Sequence, residues 1–223
     1  MTISCHSNEG HALASISLTH VYFDPQDKIS YAFAYITLAP IAILVFYASV
    51  IVSRREMAGI LMLLGQLLNE VINYLLKEAI EQERPYAHLG DGYGMPSSHS
   101  QFIWYFAVYG ALYLMKNISF HQSIRKVLIS NLMLLLAILV SISRVYLGYH
   151  TLNQVIAGSC IGTCFGICWF ALVQLIYSTG IIDTIIDSPL AKMIYLKDMR
   201  MIDNVVEWEY QQWEKANKRQ KQH

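Results

Sequence analysis

Five long apolar segments constrain the fold of this chain more than any other feature of its sequence. A helix needs roughly 20 mainly apolar residues to cross about 30 Å of hydrocarbon. The third and fourth segments are short, and the second also carries the polar residues Gln66, Asn69, Glu70 and Asn73. We nevertheless predict an all-α membrane bundle of about five transmembrane helices. The predicted spans are residues 31–52, 57–77, 99–116, 127–143 and 152–177.

The composition agrees with a membrane protein. Hydrophobic residues make up 55% of the chain and charged residues only 14%, against roughly 25% charged in soluble domains. The formal net charge is zero, so we expect no nucleic-acid partner. Three of the four cysteines, Cys160, Cys164 and Cys168, lie in the fifth segment. The sequence therefore offers neither a disulfide framework nor zinc-ligand spacing.

The basic residues predict the orientation of the bundle. Of the 16 Lys and Arg residues, 12 lie in the first connection, in the third connection or after residue 190. Because Lys and Arg accumulate on the cytoplasmic side, we expect these regions to be cytoplasmic. Residues 1–30 would then be an extracytoplasmic segment, residues 31–177 the transmembrane domain, and residues 178–223 a cytoplasmic or interfacial tail.

Two further expectations follow from this orientation. The glycosylation sequon at residues 117–119 falls in a cytoplasmic connection and should be unmodified.

In the tail, Ser188 and Pro189 are helix start signals, and apolar residues recur among charges as far as Tyr210. This pattern predicts an amphipathic helix on the membrane surface, although packing against a cytoplasmic loop or a partner chain would explain it equally well.

The first polar cluster is KEAIEQERPYAHLGDGYGMPSSHS at residues 77–100. Lys77 and Arg84 are seven residues apart, which places both on one face of a helix that Pro85 then ends. Two cations at the aqueous end of a span form a site for a phosphate group. Alternatively, both side chains only reach toward lipid headgroups, as Lys and Arg at helix ends often do.

The end of this cluster, GMPSSHS, opens the third span. A helix N-terminus presents unpaired N–H groups and the positive end of the helix dipole, where an anion binds. Ser97 and Ser98 would lie at that terminus, and His99 would be placed to protonate a leaving oxygen. The simpler alternative is that Ser97 caps the helix and His99 is an interfacial polar residue.

The second cluster, SRVYLGYH, places Arg144 and His150 on the same side of the membrane as the first. Gln154, four residues after His150, can hold one ring nitrogen and leave the other as a nucleophile. A glycine at every fourth position of residues 158–166 predicts close helix packing on the same face. Polar residues of the second span should face the bundle interior, which would bring Lys77 and His150 together.

Three motifs, in this order, resemble the signature of the type 2 phosphatidic acid phosphatase superfamily, whose members are membrane-bound lipid phosphatases related to vanadium haloperoxidases. They are Lys77-x6-Arg84-Pro85, Pro96-Ser97-Ser98-His99 and Ser143-Arg144-x5-His150. Within that superfamily, the stretches GMPSSHSQF and SRVYLGYHTLNQV are most similar to the dolichyl diphosphatases of the endoplasmic reticulum.

The resemblance implies a role for each motif residue. His150 would attack phosphorus to give a phosphohistidine, and His99 would protonate the departing phosphate ester. The phosphoryl oxygens would be held by Lys77, Arg84, Ser97, the backbone of Ser98, and Arg144. Neither a metal nor a cofactor is expected, because these cations stabilise the transferred charge.

Two positions depart from the superfamily pattern. Ser98 replaces the usual Gly, a mild change because only its backbone N–H is needed. Gln154 replaces the usual Asp behind the nucleophile, and hydrogen bonds to charged groups contribute about 1.5–3 kcal/mol against about 0.5–1.5 for neutral pairs. The dolichyl diphosphatases that the sequence resembles carry Gln here as well, so we expect an active enzyme.

The function that the resemblance implies is hydrolysis of dolichyl diphosphate at the lumenal face of the endoplasmic reticulum membrane, which recycles the carrier lipid of protein N-glycosylation. The motifs bind phosphate and do not recognise the tail. A phosphatase for phosphatidic acid, diacylglycerol diphosphate or a shorter polyprenyl diphosphate is therefore an alternative. A second alternative is a non-catalytic lipid-binding relative with a weakened His150–Gln154 pair.

Overall fold

The computed structural model describes residues 14–16, 21–89, 92–117, 123–202 and 204–221. These residues are mainly helical, and two short strands form an antiparallel hairpin, β1 (Ala14–Ile16) and β2 (Val21–Phe23). The α-helices are α1 (Lys28–Ile36), α2 (Ala39–Arg54), α3 (Met57–Ile80), α4 (Ser98–Asn117), α5 (Ser123–Tyr146), α6 (Leu152–Ser178), α7 (Ile181–Asp187), α8 (Pro189–Met193) and α9 (Val205–Gln220).

The predicted all-α membrane bundle is confirmed. Four segments are long and apolar enough to cross a membrane: α1 together with α2, then α3, most of α5, and α6. The third predicted span, α4, has 20 residues but lower hydropathy. It is the central helix, packed against α6, α5 and α3, and its buried face includes Ser100, Gln101, Tyr105 and Tyr109.

Two helix ends differ from the predicted spans. The first span begins at Lys28 and is interrupted after Ile36, where Pro40 lies in the first turn of α2. The second span ends at Ile80, because Glu81 adopts a left-handed conformation with φ of 53°. The prediction that Arg84 shares a helix face with Lys77 is therefore wrong, and Arg84 lies in the loop that follows α3.

The start of the predicted tail helix is confirmed, since the Ser188 side chain accepts a hydrogen bond from Ala191 N at 3.3 Å. The prediction of one helix as far as Tyr210 is wrong, because α8 ends at Met193 and α9 begins only at Val205. Between them, Lys197 N–H donates to the Arg55 carbonyl at 2.9 Å, and the Lys197 carbonyl accepts from Met57 N at 3.0 Å. This extended segment therefore docks on the turn between α2 and α3.

Glycines bring α6 against α4, as the sequence predicts. A Cβ atom at Gly158 would lie 2.6 Å from the Ser97 carbonyl oxygen, and one at Gly162 would collide with the Gln101 carbonyl oxygen. The two backbones therefore approach too closely for any side chain at these positions. Residues 118 and 119 of the sequon lie outside the described residues.

Candidate active site

Both polar clusters lie at one end of the bundle, where α3 and α5 end and α4 and α6 begin. A backbone hydrogen bond joins them directly, because Ser97 N–H donates to the Gln154 carbonyl at 3.0 Å. Ser97 is fully buried, and its carbonyl accepts the first bond of α4, from Gln101 N at 3.0 Å. The two motifs are thus held together by the α4–α6 contact.

His150 is buried just before α6, and Gln154 holds its ring. The distance from His150 Nδ1 to Gln154 Oε1 is 3.1 Å. Gln154 Nε2 donates to the Glu83 carbonyl at 2.8 Å, and Oε1 also accepts from Thr151 N at 3.2 Å. These bonds orient the amide with its oxygen toward the imidazole, so Nδ1 carries the proton and Nε2 keeps its lone pair.

The environment keeps the His150 imidazole neutral. Burial, followed by the charges of Arg144 and Arg84, lowers the pKa of His150 to about 3, and Lys77 acts in the same direction. The hydrogen bond to Gln154 opposes this shift. The side chain is therefore a free base at neutral pH, which is the form that a nucleophile requires.

Arg144 is 4% exposed and is held from two sides. Its Nη1 donates to Thr37 Oγ1 at 2.8 Å, and its guanidinium carbon lies 3.9 Å from the centre of the Tyr149 ring. Tyr149 is in turn fixed by Tyr22, whose N–H donates to the phenol oxygen at 2.8 Å. In the described part of the chain, Arg144 Nε is buried without a hydrogen-bond partner. An anionic ligand would satisfy this donor.

The other predicted phosphate ligands lie at the same end of the bundle. Lys77 is half-buried near the end of α3, and the charges of Lys77 and Arg84 both act on His150. Arg84 Nε donates to the Gly92 carbonyl at 3.2 Å. Ser98 and His99 begin α4 and line a cavity together with Arg84 and Arg144. The charge of Lys77 acts on His150, but α6 packs mainly against α4 and much less against α3, so the second and fifth predicted spans are not the main contact.

A cavity of about 500 Å³ leads from Arg84 and Arg144 toward an exposed apolar surface. Between α2 and α3 it is lined by Ile41, Leu44 and Leu67, which are 52%, 41% and 51% exposed. Val21 of β2 lines the same cavity. His150 is not among the lining residues and lies behind the cavity wall.

A buried amide network supports the start of α4, and the sequence analysis missed its central residue, Gln101. Gln101 Nε2 donates to Asn69 Oδ1 at 3.0 Å, and its Oε1 accepts from Asn73 Nδ2 at 2.8 Å. Asn73 Oδ1 then accepts from Ser98 Oγ at 2.8 Å. The spacing of Asn69 and Asn73 on α3 was visible, but nothing in the sequence marked Gln101 as their partner.

Thr37 and Tyr149, which hold Arg144, were also missed. Thr37 is 107 residues from Arg144 in the sequence, and a single Thr in an apolar span carries no signal of its own. Within the described ranges, no group of three or more His, Cys, Asp or Glu residues is placed to hold a metal ion.

Comparison with known proteins agrees with the geometry. The PAP2 superfamily profile matches residues 58–177, which is more than half of the chain and includes all three motifs. The chain belongs to the PAP2 superfamily. A PAP2-type transmembrane phosphatidylglycerolphosphate phosphatase from Bacillus subtilis has a similar structure, with a TM-score of 0.57 and 28% identity, covering 66% of this chain and 77% of that one.

Curated PAP2 relatives match over most of their length. Dolichyldiphosphatase 1 of Dictyostelium discoideum is 39% identical over 203 residues, covering 89% of each chain. Dolichyldiphosphatase 1 of Homo sapiens is 37% identical over 205 residues, covering 87% of this chain and 86% of the relative. Lipid phosphate phosphatase gamma of Arabidopsis thaliana is 37% identical over 212 residues, covering 92% and 93% respectively.

Proposed function

We propose that this PAP2 protein is a membrane phosphatase that hydrolyses dolichyl diphosphate to dolichyl phosphate and inorganic phosphate. The observation that carries the chemistry is the buried Arg144, whose unpartnered Nε lies in a cationic site beside the neutral imidazole of His150. The relatives named dolichyldiphosphatase, which match over almost the whole chain, support the substrate.

In the proposed reaction, His150 Nε2 attacks the terminal phosphorus while the bond to the bridging oxygen breaks. His99 donates a proton to that oxygen as dolichyl phosphate departs, a step worth about 10²- to 10⁴-fold in rate. A water molecule then loses a proton to His99 and attacks the phosphohistidine, which releases phosphate and returns the electron pair to Nε2. The reaction is balanced without a co-reactant other than water.

The cations and the start of α4 would stabilise the transferred phosphoryl group. We assign its oxygens to Lys77, Arg84, Ser97, the backbone N–H of Ser98, and Arg144. Donors fixed in a buried site before the reaction begins stabilise developing charge more strongly than water does. No role for a metal or cofactor is included in this scheme.

The isoprenoid tail would lie in the part of the cavity between α2 and α3. Exposed apolar side chains at Ile41, Leu44 and Leu67 continue from the cavity onto the surface of two membrane helices. A single hydrocarbon chain can follow this path from the phosphate site into the bilayer. The lipid would therefore reach the site sideways, from the membrane.

We infer that the active site faces the lumen of the endoplasmic reticulum and that the C-terminus is cytoplasmic. The inference is supported by the 12 Lys and Arg residues assigned to the opposite side. Residues 1–30 would be lumenal, residues 31–177 would form the phosphatase domain, and residues 178–223 would form the cytoplasmic tail. In this setting the enzyme recycles the carrier lipid of protein N-glycosylation.

A substrate panel tests the assignment. Purified protein should show a kcat/KM for dolichyl diphosphate well above its values for phosphatidic acid, diacylglycerol diphosphate and farnesyl diphosphate. The Arg144→Ala variant gives the background of contaminating phosphatases. A clear preference for phosphatidic acid would instead favour a broader lipid phosphate phosphatase, as the name of the Arabidopsis relative suggests.

A further inference from the structure

Glu70 is an acidic residue in the cavity that the proposed reaction does not use. Among the described residues that line the cavity, it is the sole carboxylate, and it faces the same space as Arg84, His99 and Arg144. It lies within the membrane-spanning helix α3, where an ionisable side chain is unfavourable and usually functional. If Glu70 served only to stabilise the fold, its contacts should show the partners that do so.

Its contacts do not supply a structural reason. In the described structure, Glu70 Oε1 is buried without a hydrogen-bond partner, as is Oε1 of Gln66 one turn earlier. Glu70 takes part in none of the salt bridges among the described residues. A side chain that stabilised only the fold would have these oxygens paired.

The electrostatic surroundings indicate a different role. Lys77 follows Glu70 by seven residues, which is two helical turns or about 10 Å along the axis of α3. The two side chains leave from nearly the same face, and their charges interact. Glu70 thus shares the cavity with Arg84 and Arg144, and its charge interacts with that of Lys77 on the same helix.

We propose that Glu70 is the internal counter-charge of the phosphate-binding cations and that it weakens the retention of released phosphate. In the empty site its negative charge offsets part of the mutual repulsion of the three cations. When a phosphate is bound, the same charge opposes it. This inference depends on the proposed phosphatase function.

The repulsion between Glu70 and a bound phosphate group would act on both substrate and product. Its consequence for binding differs, because only the substrate has a tail. Dolichyl diphosphate is also held by its tail along Ile41, Leu44 and Leu67, whereas inorganic phosphate is held by charges alone. A carboxylate in the site therefore opposes both anions, but only the substrate has apolar contacts that keep it bound. Phosphate would leave readily after each turnover.

Inhibition by phosphate and by vanadate tests this role. Removal of the charge in Glu70→Gln should lower the inhibition constant of both anions by about 5- to 15-fold, the effect of one unit charge at about 10 Å in a partly buried site. Glu70→Asp keeps the charge and should stay within about 3-fold of the wild type. Glu78→Gln, an exposed site later in α3, is the matched control and should not change.

An inhibition constant in Glu70→Gln equal to that of the wild type, or an equal change in Glu78→Gln, would overturn the proposal. If Glu70→Gln does not accumulate, Glu70→Leu removes the same charge with a side chain suited to a membrane helix. Vanadate-induced thermal stabilisation measures anion binding without turnover. A wild type that binds vanadate but does not hydrolyse lipid would refute the function, whereas an active wild type with unchanged anion affinity in both variants would refute the role of Glu70 alone.

Discussion

His150 Nδ1 lies 3.1 Å from Gln154 Oε1, and this contact leaves Nε2 as the ring nitrogen with a free lone pair. The amide orientation is set elsewhere, since Gln154 Nε2 donates to the Glu83 carbonyl at 2.8 Å. A neutral amide can thus perform the orienting role for which most of the superfamily uses Asp. It adds no negative charge to offset the burial and the cations that lower the pKa of His150.

Replacement of Gln154 by Glu should shift the pH profile. The carboxylate keeps the contact to His150 Nδ1 and favours the imidazolium, so the pKa of His150 rises from about 3. The acid limb of kcat/KM should then move to higher pH by about 1 unit or more, measured on dolichyl diphosphate from about pH 2.5, below the pKa of His150, up to about pH 8.

Gln154→Leu is the control for this change, because it removes the contact without adding charge. It should lower kcat/KM about 10-fold or more and should not raise the pH of the acid limb. A profile that stays in place in Gln154→Glu would contradict the assigned tautomer. A non-catalytic protein would behave differently again, gaining activity only when Gln154→Asp or Gln154→Glu supplies the carboxylate.

Thr37→Val should weaken substrate binding through Arg144. The substitution keeps the shape of the side chain but removes the oxygen that accepts from Arg144 Nη1 at 2.8 Å. An unpaired buried donor costs about 1–3 kcal/mol, and the guanidinium would tilt away from the position that a phosphoryl oxygen needs. We expect KM to rise about 5-fold or more, with a smaller change in kcat.

Thr37→Ser retains the hydroxyl and serves as the matched variant in the same steady-state assay. Its KM should stay close to that of the wild type. Equal KM values in the Val and Ser variants would show that Thr37 does not position Arg144.

Gly158→Ala should disturb the link between the two motifs. Its Cβ would lie 2.6 Å from the Ser97 carbonyl oxygen, which begins α4. Overpacking of this kind costs about 1–3 kcal/mol, and the displacement of Ser97 should also lower kcat. Thermal unfolding in detergent and phosphate release measure the two effects.

The neighbouring Gly166→Ala is a control on the same helix face. Its Cβ would lie 3.4 Å from the Tyr105 carbonyl oxygen, an ordinary contact, and Ala favours the helix. Stability should be unchanged or slightly higher. A Gly158 variant as stable and active as the Gly166 variant would contradict the close α4–α6 packing.

The sequence predicted the parts of the site that depend on regular helices. Residues at the ends of spans could be assigned to one side of the membrane, and the four-residue step from His150 to Gln154 gave their contact. The position of Arg84 could not be predicted in this way. Two hydrogen bonds hold the loop that carries Arg84. Gln154 Nε2 of α6 donates to the Glu83 carbonyl, and within the loop Gly94 N donates to the Gln82 carbonyl at 2.6 Å.

Long-range contacts explain the other differences. The tail helix is interrupted because Lys197 forms backbone hydrogen bonds with the turn between α2 and α3. The hydrophobic periodicity of the tail cannot indicate this partner. Thr37 and Gln101 acquire their roles only when α1 meets α5 and α3 meets α4. Local patterns therefore located the candidate site residues and missed the side chains that hold them.

In the proposed mechanism, His150 carries the phosphoryl group without help from a metal. The most direct measurement is phosphate release from dolichyl diphosphate labelled in its terminal phosphate, with purified protein in excess EDTA. Rapid quenching in base preserves phosphohistidine for detection. His88→Ala, at an exposed histidine outside the cavity lining, is the control and should keep full activity and labelling.

We expect wild-type protein to release phosphate in EDTA and to carry a base-stable, acid-labile label on His150, and His150→Ala to show neither. Full activity of His150→Ala, or loss of wild-type activity on chelation that added metal restores, would contradict it.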